Sequence, residues 1–262
     1  MRWLLLADIH GNLEALSAVL THASDWPDAR IVVAGDTVGY GPDPGACIEV
    51  LAEHSALCVA GNHEGMVLGR IGLGQCNYAG ILAARWTREV LSARAWQWLA
   101  ELPERRLVGD RLIVFHGDLD DPTRYLDRAS RADALLASLE GRDIAATRAV
   151  CGHTHHPGVH AEGEPWGAPP MSVPIALRRE RRCLINPGAV GQTRFEAPIA
   201  RYARYDDEAD VLVFHAVPYD EQAVCRKLRR AGLVPRVRMP SSSRLGREVE
   251  RLQTRWARRW YG

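Results

Sequence analysis

The sequence contains almost no lysine and has almost no net charge. Lys227 is the only lysine among 33 Lys and Arg residues, and these balance 32 acidic residues to leave a formal net charge of +1. A chain without a basic excess has no general electrostatic attraction for nucleic acid or for an anionic membrane surface. The charge balance therefore argues against a nuclease and against a protein that works on a membrane.

Paired cysteines and long apolar runs are also missing. The six cysteines are scattered without a Cys-x-x-Cys pair, as is typical of small core residues in an intracellular protein. Only five apolar residues follow Met1-Arg2 before Asp8, too few for a signal-peptide core or a membrane span. We therefore expect a cytoplasmic protein with no membrane partner, and 262 residues allow one large α/β domain.

A recurring pattern is present instead: a short apolar run ends on residues that commonly bind metals. The run Ile31–Ala34 is followed by Gly35 and Asp36, and it predicts a strand buried on both faces. Four other runs end in the same way, each on a different polar set: Asp8 and His10 after Trp3–Ala7, Asn62-His63-Glu64 after Leu57–Ala60, His116 after Leu112–Phe115, and His153 and His155 after Ala145–Val150.

These five strand ends predict a metal site. In open α/β sheets the carboxyl ends of the strands lie along one edge, where ligands bind. Carboxylate, imidazole and amide ligands together favour Mn, Fe, Zn or Co over calcium, and Asp36 has two oxygens with which to bridge two ions. Taken singly, His10 or His116 could be an ordinary loop histidine, and Asn62 an ordinary turn residue. The prediction therefore rests on all five runs together.

The order of predicted elements indicates the fold class. Strands and helices alternate over residues 3–60, which implies parallel pairing, and a hairpin is predicted over 200–205 and 211–217. Between these regions we expect a helical insertion at about 65–102, with residues 78–100 helical, then a strand at 111–115 and a helix at 129–139. A further helix is predicted over 219–231. This order predicts an α/β protein with two stacked sheets flanked by helices.

The five polar sets, in this order over residues 4–156, resemble the motifs of the calcineurin-like metallophosphoesterases. Asn186-Pro187-Gly188 is also similar to a loop of the small bacterial and archaeal phosphodiesterase and phosphatase branch of that family. The resemblance implies a four-layer α/β/β/α sandwich, with two mixed sheets flanked by helices. We expect this domain to span residues 1–239.

The resemblance also implies a role for each residue of the motifs. It implies two divalent ions, with Mn²⁺ expected and Fe, Zn, Co or Ni as alternatives. The first ion would be held by Asp8, His10, Asp36 and His155. The second would be held by Asp36, Asn62, His116 and His153. His63 would face the substrate as the catalytic residue, with Glu64 orienting it, whereas His156 has no implied role.

The implied reaction is hydrolysis of a phosphate ester or anhydride by a metal-bridging hydroxide. The substrate stays open: a phosphodiester, a phosphomonoester, a nucleotide or a dinucleoside polyphosphate. Alternatives are a protein serine/threonine phosphatase and a non-catalytic metal-binding scaffold of the same fold. Arg70 and Arg194 could clamp a distal phosphate or lie solvated on the surface. Three tryptophans of the insertion could stack a nucleobase or simply pack: Trp86, Trp96 and Trp98.

The C-terminal segment, residues 240–262, is predicted to be a linker and an amphipathic Arg/Trp helix. Pro240–Ser243 reads as the linker, and the apolar residues beyond it fall on one helical stripe. Six arginines against two glutamates leave the other faces basic. We expect the helix either to dock on the chain's own core or to contact an acidic partner or a second subunit, which would make a homo-oligomer.

Overall fold

The structure is a computed structural model that describes residues 1–142, 144–164, 167–192 and 198–233. The predicted linker and helix over 240–262 lie outside these ranges, as does Arg194, so what was expected of them stays a prediction. Within the described ranges, no helix has the length and apolar character needed to cross a membrane.

Eleven strands form two sheets within the described part of the chain. In chain order they are β1 Arg2–Leu6, β2 Arg30–Val33, β3 Leu57–Cys58, β4 Arg105–Val108, β5 Leu112–Phe115, β6 Arg148–Val150, β7 Gly158–Ala161, β8 Pro174–Ala176, β9 Cys183–Asn186, β10 Ile199–Asp206 and β11 Val211–Pro218. The first sheet has the order β3-β2-β1-β10-β11-β8, and the second has the order β4-β5-β6-β9-β7.

Each sheet has a parallel part and an antiparallel part. In the first sheet β1, β2 and β3 are parallel, while β10 and β11 form the predicted hairpin, in which Tyr202 faces His215 across the two strands. In the second sheet β5, β6 and β9 are parallel, and β4 and β7 pair antiparallel at the edges. The carboxyl ends of six parallel strands, three from each sheet, therefore define where a site can form.

Seven helices accompany the sheets in the described residues. They are α1 Leu13–His22, α2 Pro44–Glu53, α3 Asn62–Val67, α4 Tyr78–Val90, α5 Ala93–Ala100, α6 Ala129–Gly141 and α7 Glu221–Arg230. Helix α1 begins where the sequence predicts, because the Asn12 side chain accepts a 3.0 Å hydrogen bond from the Ala15 amide.

Successive side chains along each strand point to opposite faces of its sheet, and this alternation produces the four layers. Trp3 and Leu5 of β1 point between the sheets and pack in one cluster with Val114 of β5 and Val150 of β6. Residues of the opposite face of β1, such as Leu4, pack with α1 and α2 in a second cluster. A third cluster joins the outer face of the second sheet to α6. The predicted α/β/β/α arrangement, with two mixed sheets between helices, is confirmed.

The insertion after the third strand differs from its prediction. Residues 78–100 form two helices, α4 and α5, because the chain breaks at Leu91 and restarts at Ser92, whose side chain accepts from the Ala95 amide at 3.2 Å. The first residues of the expected insertion, from Gly65, belong to α3, which begins at Asn62. The insertion forms a core cluster of its own, which includes Val38 beside Asp36 in the chain. It therefore packs against a loop of the expected site.

Strand β4 was not predicted from the sequence. It pairs with β5 at the edge of the second sheet, and its residues Arg105-Arg106-Leu107-Val108 are mostly outside the core, with Leu107 62% exposed. A strand that faces solvent has no apolar alternation to reveal it.

A buried ionic group joins the two sheets away from the strand ends that carry the polar motifs. Arg148 of β6 is fully buried and donates to the Asp210 carboxylate at 2.7 Å. Tyr205 donates to the same oxygen at 2.7 Å, and Arg111 donates to the other oxygen at 2.9 Å. The Asp210 carboxylate thus compensates the positive charge of Arg148, which would otherwise be costly to bury.

Candidate metal centre

The loops that follow the parallel strands of both sheets meet at one edge and bond to one another. The amide of Asp8 donates to the Gly35 carbonyl at 3.1 Å, and the amide of His10 donates to the Asp36 carbonyl at 2.9 Å. In the second sheet, the amide of Gly152 donates to the His116 carbonyl at 2.9 Å. The polar side chains predicted from separate runs are thus held on a shared backbone framework.

Five of the predicted ligands have left-handed backbone. Their φ angles are 53° for Asp8, 50° for His10, 54° for Asp36, 68° for His153 and 65° for His155. For a residue with a Cβ this conformation costs about 1–2 kcal/mol. Strain of this kind persists only where the surroundings impose it, and it clusters at functional sites. Backbone strain is therefore concentrated at five of the residues that were predicted as metal ligands.

Within the described residues, three groups of side chains have ligand atoms within 4.8 Å of one another: Asp8 with His10 and His155, Asp36 with His116 and His153, and His10 with Asp36 and His63. Nε2 of His10 lies 3.1 Å from Nε2 of His155, and Nε2 of His116 lies 2.9 Å from Oδ1 of Asn62. Each of the first two groups contains three of the four ligands that the resemblance assigns to one ion. All of these side chains are buried.

Backbone carbonyls orient the imidazoles. Nδ1 of His10 lies 3.2 Å from the Val38 oxygen, and Nδ1 of His116 lies 2.8 Å from the Ala34 oxygen. An imidazole that donates from Nδ1 presents Nε2 as an acceptor, which is the usual way in which an outer partner sets a metal-binding tautomer. His155 is arranged in the same way, with Nδ1 2.6 Å from the oxygen of Gln192.

Asp36 lies between the other candidate ligands. Its Oδ2 is 3.2 Å from Nε2 of His116, 3.9 Å from Nε2 of His10 and 4.0 Å from Nε2 of His63. Burial alone would raise the pKa of the Asp36 carboxyl, but His116 and His63 outweigh it and hold that pKa well below its usual value. Burial likewise acts to lower the pKa of His116, yet Asp36 raises it to about 9. The carboxylate charge is thus the main electrostatic feature of the site.

Glu64 contributes to the site through the backbone. Its carboxylate accepts hydrogen bonds from the amides of Gly61 at 2.7 Å, Asp36 at 2.9 Å and Val38 at 3.0 Å. The sequence led us to expect that Glu64 would orient His63. Its carboxylate instead holds together the loops that carry Asp36 and Asn62.

Glycine is required at position 61, because the loop before Asn62 approaches Asp36 closely there. A Cβ at Gly61 would lie 2.2 Å from Oδ1 of Asp36. Because that distance is well inside van der Waals contact, a side chain at Gly61 would displace the carboxylate. The loop before Asn62 can therefore approach Asp36 only with glycine at this position.

Sequence reasoning missed several residues that support the site. The Thr123 carbonyl lies 3.0 Å from Nε2 of His153, and the Tyr125 ring stacks on that imidazole with centroids 4.2 Å apart. Asn186 donates to the Gly152 carbonyl at 2.8 Å and so supports the loop that carries His153. Only the motif containing Asn186 gave any signal in the sequence. The Thr123 and Tyr125 contacts depend on a loop after β5 that no pattern marks.

Other candidates lie outside the cluster. Arg70 donates to the Ala100 carbonyl at 2.9 Å and so binds the end of α5, where it is exposed. His156 is exposed beside the buried His155. Of the three tryptophans, Trp98 packs against two core clusters, whereas Trp96 is 36% exposed.

The residues present fit a divalent metal. Two carboxylates and several oriented imidazoles converge in a buried space, and Nε2 of His10 approaches Nε2 of His155 to 3.1 Å. A cation between them would satisfy lone pairs that otherwise face one another. Nitrogen and oxygen donors together suit a transition metal or Zn²⁺ better than Ca²⁺.

Comparisons with known proteins agree with this geometry. The family model for the calcineurin-like phosphoesterase superfamily domain matches residues 1–210. An uncharacterised protein of Methanocaldococcus jannaschii is 30% identical over 234 residues, which cover 86% of this chain and 90% of the other.

Two crystal structures have the same fold. A metallophosphoesterase from Sphaerobacter thermophilus superposes with a TM-score of 0.75 and 34% identity, covering 89% of this chain and 95% of the other. A hypothetical protein of Pyrococcus horikoshii, at 17% identity, gives a TM-score of 0.70 over 89% of this chain and 94% of its own. With the family model spanning most of its length, the chain belongs to the calcineurin-like phosphoesterase superfamily.

Proposed function

We propose that the protein hydrolyses phosphate esters or anhydrides with two divalent ions, of which Mn²⁺ is the first to test. The observation that carries the proposal is the position of Asp36. Its carboxylate belongs to two groups of neighbouring ligand atoms, one with His10 and His63 and one with His116 and His153. A carboxylate shared between two groups is suited to bridge a pair of ions.

We assign to the two ions the ligand sets that the family resemblance implies, of which the neighbouring ligand atoms include three residues each. The first consists of Asp8, His10, Asp36 and His155. The second consists of Asp36, Asn62, His116 and His153. Divalent ions bound there would supply an activated water and neutralise charge on the phosphoryl oxygens.

His63 would act on the leaving group. Its amide donates to Oδ1 of Asp36 at 2.9 Å, and its Nε2 lies 4.0 Å from Oδ2 of the same residue. The imidazole is therefore beside the shared carboxylate, where a phosphoryl group would bind. A proton held at Nε2 would pass to the leaving oxygen as its bond to phosphorus breaks.

A non-catalytic scaffold is the less favoured alternative. A scaffold has no need to keep a buried imidazole such as His63 next to a complete set of candidate ligands. A protein serine/threonine phosphatase uses the same chemistry, so only a comparison of substrates separates it from an enzyme of small phosphate esters.

The decisive experiment measures metal content and hydrolysis together. The purified chain is stripped with chelator, reloaded with Mn²⁺, Fe²⁺, Zn²⁺, Co²⁺ or Ni²⁺, and assayed on four substrate classes: phosphomonoesters, cyclic nucleotides, dinucleoside polyphosphates and phosphopeptides. We expect about two metal equivalents and turnover of at least one small ester or anhydride. Phosphopeptide turnover alone would favour the protein phosphatase. Metal binding without turnover of any class would favour the scaffold.

A further inference from the structure

The loop after Asp36 contains a second strained turn, outside the candidate ligands. Gly39 has a φ of 95°, and the next residue, Tyr40, has a φ of 52°. Tyrosine rarely adopts left-handed backbone, because its Cβ then crowds the neighbouring carbonyl. Because backbone strain clusters at functional sites, a strained tyrosine beside the candidate metal centre indicates that Tyr40 has a functional role.

The turn places Tyr40 against His63. Their ring centroids are 4.6 Å apart at an interplanar angle of 52°, and Tyr40 also meets the ring of His10 edge-on at 4.9 Å. His10 in turn lies edge-on to His63 at 4.8 Å. A Cβ at Gly39 would lie 2.2 Å from Nδ1 of His63, so the backbone of the turn itself lies against the imidazole. The His63 ring is thus bounded by Tyr40, His10 and the Gly39 backbone.

The insertion limits the movement of Tyr40. The Tyr40 hydroxyl lies 3.6 Å from the position that a Cβ on Gly80 would occupy, an ordinary van der Waals distance, so the tyrosine borders α4. Helix α4 packs on α3, which carries His63, through the cluster that contains Val38 and Ile81. Tyr40 therefore connects the insertion to the His63 imidazole.

We propose that Tyr40 is a positioning residue, whose ring fixes the imidazole of His63 in the orientation that delivers a proton to the leaving oxygen. This inference rests on the proposed role of His63. A proton donor is effective only when it is held close to the atom that receives the proton, and small misplacements cost large factors in rate. The effect should fall on kcat for poor leaving groups, with KM and metal content retained.

The test is a double-mutant cycle on the metal-loaded enzyme. The variants are Tyr40→Leu, Tyr40→Phe, His63→Ala and Tyr40→Leu/His63→Ala, each assayed on an alkyl and a nitrophenyl phosphate ester. We expect Tyr40→Leu to lower kcat on the alkyl ester by roughly tenfold to a hundredfold and on the nitrophenyl ester by much less. Tyr40→Phe should recover most of the loss. In the His63→Ala background Tyr40→Leu should cost nothing further.

Other outcomes overturn the inference. An equal loss from Tyr40→Leu with and without His63 would mean that Tyr40 contacts the substrate directly. A loss of metal would mean that Tyr40 acts through His10 and the ligands. An equal loss from Tyr40→Phe and Tyr40→Leu would assign the effect to the hydroxyl.

A second measurement does not depend on activity. In metal-free protein with ¹⁵N-labelled histidine, the His63 ring protons should carry a ring-current shift that Tyr40→Leu removes and Tyr40→Phe keeps. Unchanged His63 resonances in Tyr40→Leu would overturn the positioning role even if the wild-type enzyme proved inactive. An inactive wild type with the expected resonances would count against the proposed function and leave the Tyr40–His63 contact established.

Discussion

Asp36 accepts a 2.9 Å hydrogen bond through Oδ1 from the amide of His63, and its Oδ2 lies 4.0 Å from Nε2 of the same residue. One carboxylate thus sets the position of the proposed catalytic residue and also lies within reach of the candidate ligands His10, His116 and His153. A change at Asp36 should therefore affect metal binding and catalysis together, whereas a change at His63 should affect catalysis alone.

Asp36→Asn should lose activity together with at least one metal equivalent. The amide keeps the shape of the carboxylate but removes the charge that two cations would share. Elemental analysis and a hydrolysis assay measure both effects. Asp118→Asn is the matched control, since that carboxylate follows β5 but binds the Leu119 amide at 2.8 Å, outside the cluster. Full metal content and normal turnover in Asp36→Asn would contradict the shared-ligand assignment.

His63→Ala should keep its metal and lose roughly 10²–10⁴-fold in kcat, the usual contribution of one general acid. The loss should shrink for nitrophenyl esters, whose leaving groups need little protonation. His156→Ala is the control, because His156 is exposed beside a candidate ligand and has no proposed role. If His63→Ala loses metal along with activity, His63 is a ligand and its proposed role is wrong.

Glu64→Gln should destabilise the protein and weaken metal binding. The carboxylate accepts three backbone N–H groups, from Gly61, Asp36 and Val38. The glutamine side chain has one acceptor oxygen, and its NH₂ group would face at least one of these donors. Leaving a buried donor unsatisfied costs about 1–3 kcal/mol. Denaturant unfolding of metal-free protein measures the cost, and a variant as stable as the wild type would show that the loops close without Glu64.

Asp210→Asn should destabilise the fold without touching the candidate metal centre. Arg148 is fully buried, and removing its charged partner leaves an uncompensated charge, at a cost of about 3–5 kcal/mol. We expect a lower midpoint of denaturant unfolding at pH 7. Asp120→Asn, which alters exposed surface ion pairs with Arg105 and Arg142, is the control and should change stability little.

The ionic group around Asp210 also predicts how the free energy of unfolding depends on pH in acid. Burial acts to raise the pKa of Asp210, but hydrogen bonds from Arg111, Tyr205 and Arg148 outweigh it and hold that pKa far below 3.8. A carboxyl whose folded pKa is depressed stabilises the protein above its unfolded pKa, and that stability is lost as the pH falls below about 4. The stability gap between wild type and Asp210→Asn should therefore narrow from pH 5 to pH 3. A constant gap would mean that the charge is not what stabilises the contact.

The fold class and the chemical character of the site could be predicted from the amino-acid sequence. Apolar runs that end on polar residues mark parallel strands, and the carboxyl ends of parallel strands must share an edge. For that reason Asp8, Asp36, His116 and His153 could be assigned to one place before any coordinates were known. The hairpin of β10 and β11 was equally visible, because its strands alternate and a turn of polar residues joins them.

Which residues surround those side chains became clear from the packed structure. Thr123, Tyr125 and Tyr40 make contacts between loops that are distant in sequence, and no periodicity records such contacts. Glu64 was taken as a partner of His63 because it follows it directly, but folding directs its carboxylate to three backbone amides. Strand β4 was not predicted because most of its side chains are outside the core and leave no apolar alternation in the sequence. Local patterns report which face of an element is buried, whereas loop-to-loop contacts exist only once the sheets have packed.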